Sequence, residues 1–170
     1  MITVFAYYRR LFASRSALPD VIALQETHVW TPQDAADFQE LGYSVAACYT
    51  RPDSRSRVGG GVVTLFRDAT VSAVEYTPTA ACPVPEFEQV MVWVRDKCTS
   101  PATYYGIVNC YWRPNCLASA QPVESVIEFY SQQGMDIVVG DMNARHLSWS
   151  SQHNSYAVGR GLLDSRRLRQ

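Results

Sequence analysis

Three places in the chain set residues with usable chemistry at the ends of apolar runs. The most concentrated is Met135-Asp136-Ile137-Val138-Val139-Gly140-Asp141-Met142-Asn143. A short β-branched run bounded by a turn signal predicts a buried strand that stops at Gly140. Asp141 and Asn143 are two apart, so in extended backbone they point the same way. A carboxylate and a carboxamide presented together suit hydrolysis: one group activates water and a neutral donor orients a phosphate. The second place is Glu26, which follows the apolar run Val21-Ile22-Ala23-Leu24-Gln25. The third is the corner Tyr111-Trp112-Arg113-Pro114. Taken singly, Glu26 reads as a solvated loop acid, Asp141 as a turn residue, and Tyr111 and Trp112 as core aromatics.

These groups have to be held by elements, and the pattern supplies them. Tyr7, Leu11 and Phe12 make a helical stripe within residues 3–18, ended by Pro19-Asp20. Thr31-Pro32-Gln33-Asp34 is a helix start, with Thr31 as N-cap, proline first and an acid at the third position. That helix runs to Leu41 and closes at Gly42. From Tyr43 the period is two, predicting strands at 43–50, 62–66, 71–77, 87–95 and 103–111. In the fourth of these, Val90, Val92 and Val94 face opposite to Met91 and Trp93. A polar, basic loop at 51–57 and Gly59-Gly60-Gly61 precede the second. A helix at 122–133 leads back to the Asp141 strand, and Arg160-Gly161-Leu162-Leu163 opens a last helix. With no repeat, low-complexity tract or linker, residues 1–170 read as one domain.

Composition narrows the class. The chain has 170 residues, 47% hydrophobic and 18% charged, which is enough for one packed core. A net charge of −1 exerts no overall pull on nucleic acid, so a polyanion site must be a local patch. The five cysteines, Cys48, Cys82, Cys98, Cys110 and Cys116, show no CxxC spacing, against a disulfide framework or structural zinc. No apolar stretch approaches the roughly 20 residues of a membrane span. Ile2 to Tyr8 is followed, not preceded, by arginines, unlike a signal peptide. An intracellular protein with no membrane association is expected, nuclear if functional.

Together, in this order, the motifs resemble the endonuclease/exonuclease/phosphatase family. The residues that carry the resemblance are Leu24-Gln25-Glu26-Thr27-His28, Gly59-Gly60-Gly61-Val62, Tyr111-Trp112-Arg113-Pro114 and Gly140-Asp141-Met142-Asn143. Asn143-Ala144-Arg145-His146 with Trp149, then Gly159-Arg160-Gly161 and Leu163, is similar to the endonuclease domain of non-LTR retrotransposons. The resemblance implies a four-layer, DNase I-like α/β sandwich of two mixed, mostly antiparallel sheets flanked by helices. It also implies a Mg²⁺-dependent (or Mn²⁺-dependent) phosphodiesterase that nicks DNA to prime reverse transcription, with a reverse transcriptase domain as partner in a longer parent. Glu26 matches the metal ligand, Asp141 the acid that orients or deprotonates water, Asn143 the phosphate-holding carboxamide and Tyr111 the charge-stabilising tyrosine. Arg113, Arg145 and His146 are candidates for substrate contact.

Two family features have no counterpart. No Asn precedes Asp20, although residues 2–6 read as the tail of the family's opening strand, and no Ser-Asp-His run occurs. The three histidines are His28, His146 and His153. The expectation is therefore a domain truncated at both ends, exposing core surface and strand edges, and inactive or nearly so. Two alternatives stay open: a degenerate non-catalytic remnant, and a phosphatase or RNA nuclease of the same fold.

Overall fold

The computed structural model describes residues 4–13, 18–50, 60–83, 87–112 and 123–143. In chain order the elements are α1 (Val4–Ala13), β1 (Val21–Gln25), α2 (Pro32–Gln39), β2 (Tyr43–Tyr49) and β3 (Val62–Arg67). Then come β4 (Val71–Tyr76), β5 (Phe87–Asp96), β6 (Tyr104–Trp112), α3 (Val123–Gln132) and β7 (Ile137–Asp141). The strands form two sheets. One has the order β1-β3-β2, and the other β4-β5-β6-β7. All pairs are antiparallel except β6 with β7, which run parallel after the crossover through α3.

Side-chain alternation sorts the core into layers. Phe12, Phe38, Ile22, Leu24, Tyr43, Val63 and Leu65 pack α1 and α2 onto the outer face of the first sheet. Between the sheets lie Ala47, Val62, Val90, Val92, Val94, Ile107 and Tyr111. On the far face Met91, Val108, Cys110 and Trp112 meet Val126, Phe129 and Tyr130 of α3. The order is helix, sheet, sheet, helix: a four-layer α/β sandwich of the DNase I type. Among the described residues no helix is long and apolar enough to cross a membrane.

The helix start at Thr31 forms as expected. Thr31 Oγ1 accepts from Asp34 N, and Asp34 Oδ2 accepts from Thr31 N at 2.8 Å, a reciprocal capping box. Two expectations fail. Of the two readings of the N-terminal segment, the helical stripe within 3–18 forms, with α1 beginning at Val4, and the strand tail that the resemblance offered for 2–6 does not. The stripe of Tyr8, Leu11 and Phe12 has a partner in α2 and β2, where Phe12 stacks on Tyr43. That contact rewards the helical period the stripe shows. The Asp141 strand was to be buried, yet Ile137 and Val138 are 41% and 36% exposed. Among the described residues β7 has a neighbour on one side only, so its apolar run meets solvent.

One buried polar residue ties the sheets together. Asn109 of β6 is fully buried, and its Nδ2 donates to Val63 O at 2.9 Å and Leu24 O at 3.2 Å. Its Oδ1 accepts from Gln25 Nε2 at 2.7 Å. The carboxamide is thereby satisfied across the interface, at the residue before Glu26.

Candidate active site

Register decides what meets at the end of the sandwich. Glu88 of β5 lies opposite Tyr111 of β6, and Tyr111 opposite Asp141 of β7. Directly paired residues share a face, so an acid, a phenol and an acid form a row looking toward the first sheet. From that sheet β1 delivers Glu26, whose Oε1 accepts from Tyr111 Oη at 2.5 Å. Glu26 and Asp141 are exposed while Tyr111 is 3% exposed, so two carboxylates reach solvent beside a buried phenol. Beside Glu26 a cleft of about 280 Å³ opens, lined also by Gln25, His28, Trp30 and Asp34.

Burial first, then the hydrogen bond and charge of Glu26, then Asp141 and Glu88, push the Tyr111 phenol up to about 12. At neutral pH it is therefore a neutral hydrogen-bond donor set among three acidic side chains.

Glu26 and His28 both sit in the left-handed region, at φ 54° and 56°. That conformation costs about 1–2 kcal/mol for a non-glycine residue. Backbone bonds to the Gly60-Gly61 strap hold it: His28 N donates to Gly60 O at 2.6 Å and Thr27 N to Gly61 O at 3.3 Å. Gly61, at φ 86°, has no room for a side chain, since a Cβ there would meet Thr27 Oγ1 at 2.7 Å and His28 O at 2.9 Å.

The Asp141 end differs from the extended presentation the sequence predicts. The strand continues through Gly140 to Asp141. Gly140, at φ 150°, is required because a Cβ would lie 1.8 Å from Cys110 O. The chain then turns: Asn143 is at φ 46°, and its N–H donates to Asp141 Oδ1 at 2.8 Å. Asn143 Nδ2 donates to Trp112 O at 2.6 Å. The two side chains are thus neighbours through a tight Asx turn, not through strand periodicity.

Glu26, Tyr111, Asp141 and Asn143 are therefore brought to one end of the two sheets. Arg113, Arg145, His146 and the 51–57 loop lie outside the described residues. Among the described residues, no three His, Cys, Asp or Glu side chains converge closely enough to hold a metal ion. Sequence reasoning missed Glu88 and Asn109. Glu88 left a signal, an acid on the strand face otherwise occupied by Val90, Val92 and Val94.

The model of the endonuclease/exonuclease/phosphatase family matches residues 6–164. The chain belongs to that family. No curated protein sequence matches it. Among solved structures, the human Nocturnin catalytic domain with bound sulfate is similar at 16% identity and a TM-score of 0.55. The match covers 83% of this chain and 56% of that one. D. rerio TDP2, complexed with a single-strand DNA product, matches at 14% identity and a TM-score of 0.44, over 82% of this chain and 52% of that one. The chain thus spans a little over half the length of these structures, and the likeness to Nocturnin at such identity concerns the fold.

Proposed function

We propose that this chain is the core of a divalent-metal-dependent phosphodiesterase of the retrotransposon DNA endonuclease type. The observation that carries it is the Tyr111–Glu26 hydrogen bond across the sheets, with Asp141 registered beside Tyr111. No cage of three ligands is present among the described residues, but the two exposed carboxylates at this end, Glu26 and Asp141, suit a hard cation. Three carboxylates bear on the Tyr111 phenol, and Mg²⁺ needs only one or two of them because it keeps several waters. Glu26, exposed at the mouth, would hold it. When bound, such an ion neutralises phosphate charge and helps the leaving oxygen.

The chain's own groups account for the rest. Asp141 keeps Oδ1 on the Asn143 amide, so Oδ2 is the atom to orient a water and take its proton. Asn143 has one amide hydrogen on Trp112 O and a second for a phosphate oxygen. Tyr111, still protonated at neutral pH, donates to Glu26, and a phosphate oxygen would compete for that hydrogen. The target would be DNA, with a reverse transcriptase domain as partner in a longer parent.

The test pairs calorimetric Mg²⁺ titration with nicking of supercoiled plasmid. One site is expected, weakened about tenfold or more by Glu26→Gln, and nicking stays near background because the chain carries no Ser-Asp-His. Mg²⁺-dependent nicking that Asp141→Asn abolishes would overturn the expected inactivity. Hydrolysis of a phosphoinositide, sphingomyelin or RNA without nicking would overturn the DNA assignment. Absence of Mg²⁺ binding would favour a non-catalytic remnant.

A further inference from the structure

We propose that Glu88 is a positioning residue of this site: its buried carboxylate holds Gly61 and, through Gly61, the turn that aims Glu26. The metal-affinity part of this proposal rests on Glu26 acting as ligand; the structural part does not.

Glu88 is 2% exposed on β5, on the face it shares with Val90, Val92 and Val94. A valine would fill such a position without the desolvation cost of a carboxylate, which is large unless hydrogen bonds to the charged form offset it. Glu88 Oε2 accepts from Gly61 N at 2.5 Å. This bond crosses from the second sheet to the strap before β3. It is of the charge-assisted kind, shorter and about twice as strong as a neutral one.

What Gly61 does next gives the contact its consequence. Its carbonyl accepts from Thr27 N, and that of Gly60 accepts from His28 N. Those two bonds hold the two residues that follow Glu26 and so maintain left-handed backbone at Glu26 and His28, which relaxes elsewhere if released. Glu88 also stands in register opposite Tyr111, whose hydroxyl meets Glu26 from the other side. The buried acid thereby supports Glu26 through the strap, on the strand position next to the tyrosine that meets Glu26. Glu88 itself touches no substrate in this scheme.

The experiment compares Glu88→Gln and Glu88→Val with the unmodified chain by amide NMR and by Mg²⁺ calorimetry. Glutamine keeps the acceptor and the shape but removes the charge. In Glu88→Gln the Gly61 amide proton should move upfield, while exchange protection at Thr27 and His28 stays close to that of the unmodified chain. In Glu88→Val those two amides should exchange at least about tenfold faster, and Mg²⁺ affinity should fall about tenfold, the usual scale for residues that orient ligands. Glutamine should restore most of both. An unmoved Gly61 resonance in Glu88→Gln overturns the proposal whether or not the valine variant folds. So does a folded Glu88→Val with unchanged Thr27 and His28 protection. If the unmodified chain binds no Mg²⁺, the phosphodiesterase assignment fails while the amide measurements still decide the role of Glu88.

Discussion

At the scale of single residues, Tyr111 shows how environment fixes a protonation state. A phenol in water ionises near 10; here burial and the adjacent Glu26, Asp141 and Glu88 hold it protonated to about 12. The raised value means the folded state keeps a proton that the unfolded chain gives up. Its contribution to stability is therefore complete below pH 10 and is lost as pH rises from 10 toward 12. Tyr111→Phe should lack this component, so its loss of stability over that interval should be shallower than that of the unmodified chain. Urea midpoints at pH 9, 10, 11 and 12 test it, and parallel curves would contradict the assignment. Cys110, buried and also raised to about 12, titrates alike in both proteins and cancels in the comparison. That Glu26, Tyr111, Asp141 and Asn143 lie at or near the ends of strands was legible because each closes an apolar run with a polar group. Glu88 and Asn109 were not, since their partners, Gly61, Leu24, Val63 and Gln25, lie on the other sheet and no spacing in the chain encodes that contact.

At the scale of elements, period-two alternation located β2 to β6 within a residue or two, and α2 announced itself through Thr31, Pro32 and Asp34. Sequence erred where an element's fate depends on a neighbour. The run Ile137-Val138-Val139 has the composition of a central strand, but composition states only that burial is possible. With β6 on one side, Ile137 and Val138 remain substantially exposed. Among the described residues β7 is an edge, and an apolar edge strand offers unpaired backbone groups to any other chain. Ile137→Lys should blunt that edge, because a lysine stem can lie along the strand while its ammonium reaches water. Concentration-dependent light scattering should fall, with stability changed by no more than about 1 kcal/mol. Scattering identical to that of the unmodified chain would show that β7 is not the sticky edge.

At the scale of the whole molecule, the two sheets are joined by apolar packing and, at the site end, by polar bonds that span the interface. Tyr111 reaches Glu26, Gly61 reaches Glu88, and Asn109 binds Leu24, Val63 and Gln25 together. Apolar layers fix how far apart sheets lie, but they tolerate sliding; hydrogen bonds with defined partners fix where one sheet sits along the other. Asn109 has the central place, fully buried and one residue-length beneath Glu26. Removing it takes three hydrogen bonds of about 1 kcal/mol each and leaves buried groups short of partners. Asn109→Ala should therefore cost about 2–4 kcal/mol, a large share of the few kcal/mol by which domains are stable. Urea unfolding followed by fluorescence supplies the number. Gln25→Ala should cost less, and the double variant less than the sum, because the two residues share the 2.7 Å bond. Strict additivity, or a cost under about 1 kcal/mol for Asn109→Ala, would mean that the Asn109 network does not align the sheets and that packing and the Tyr111 and Glu88 bonds do so without it.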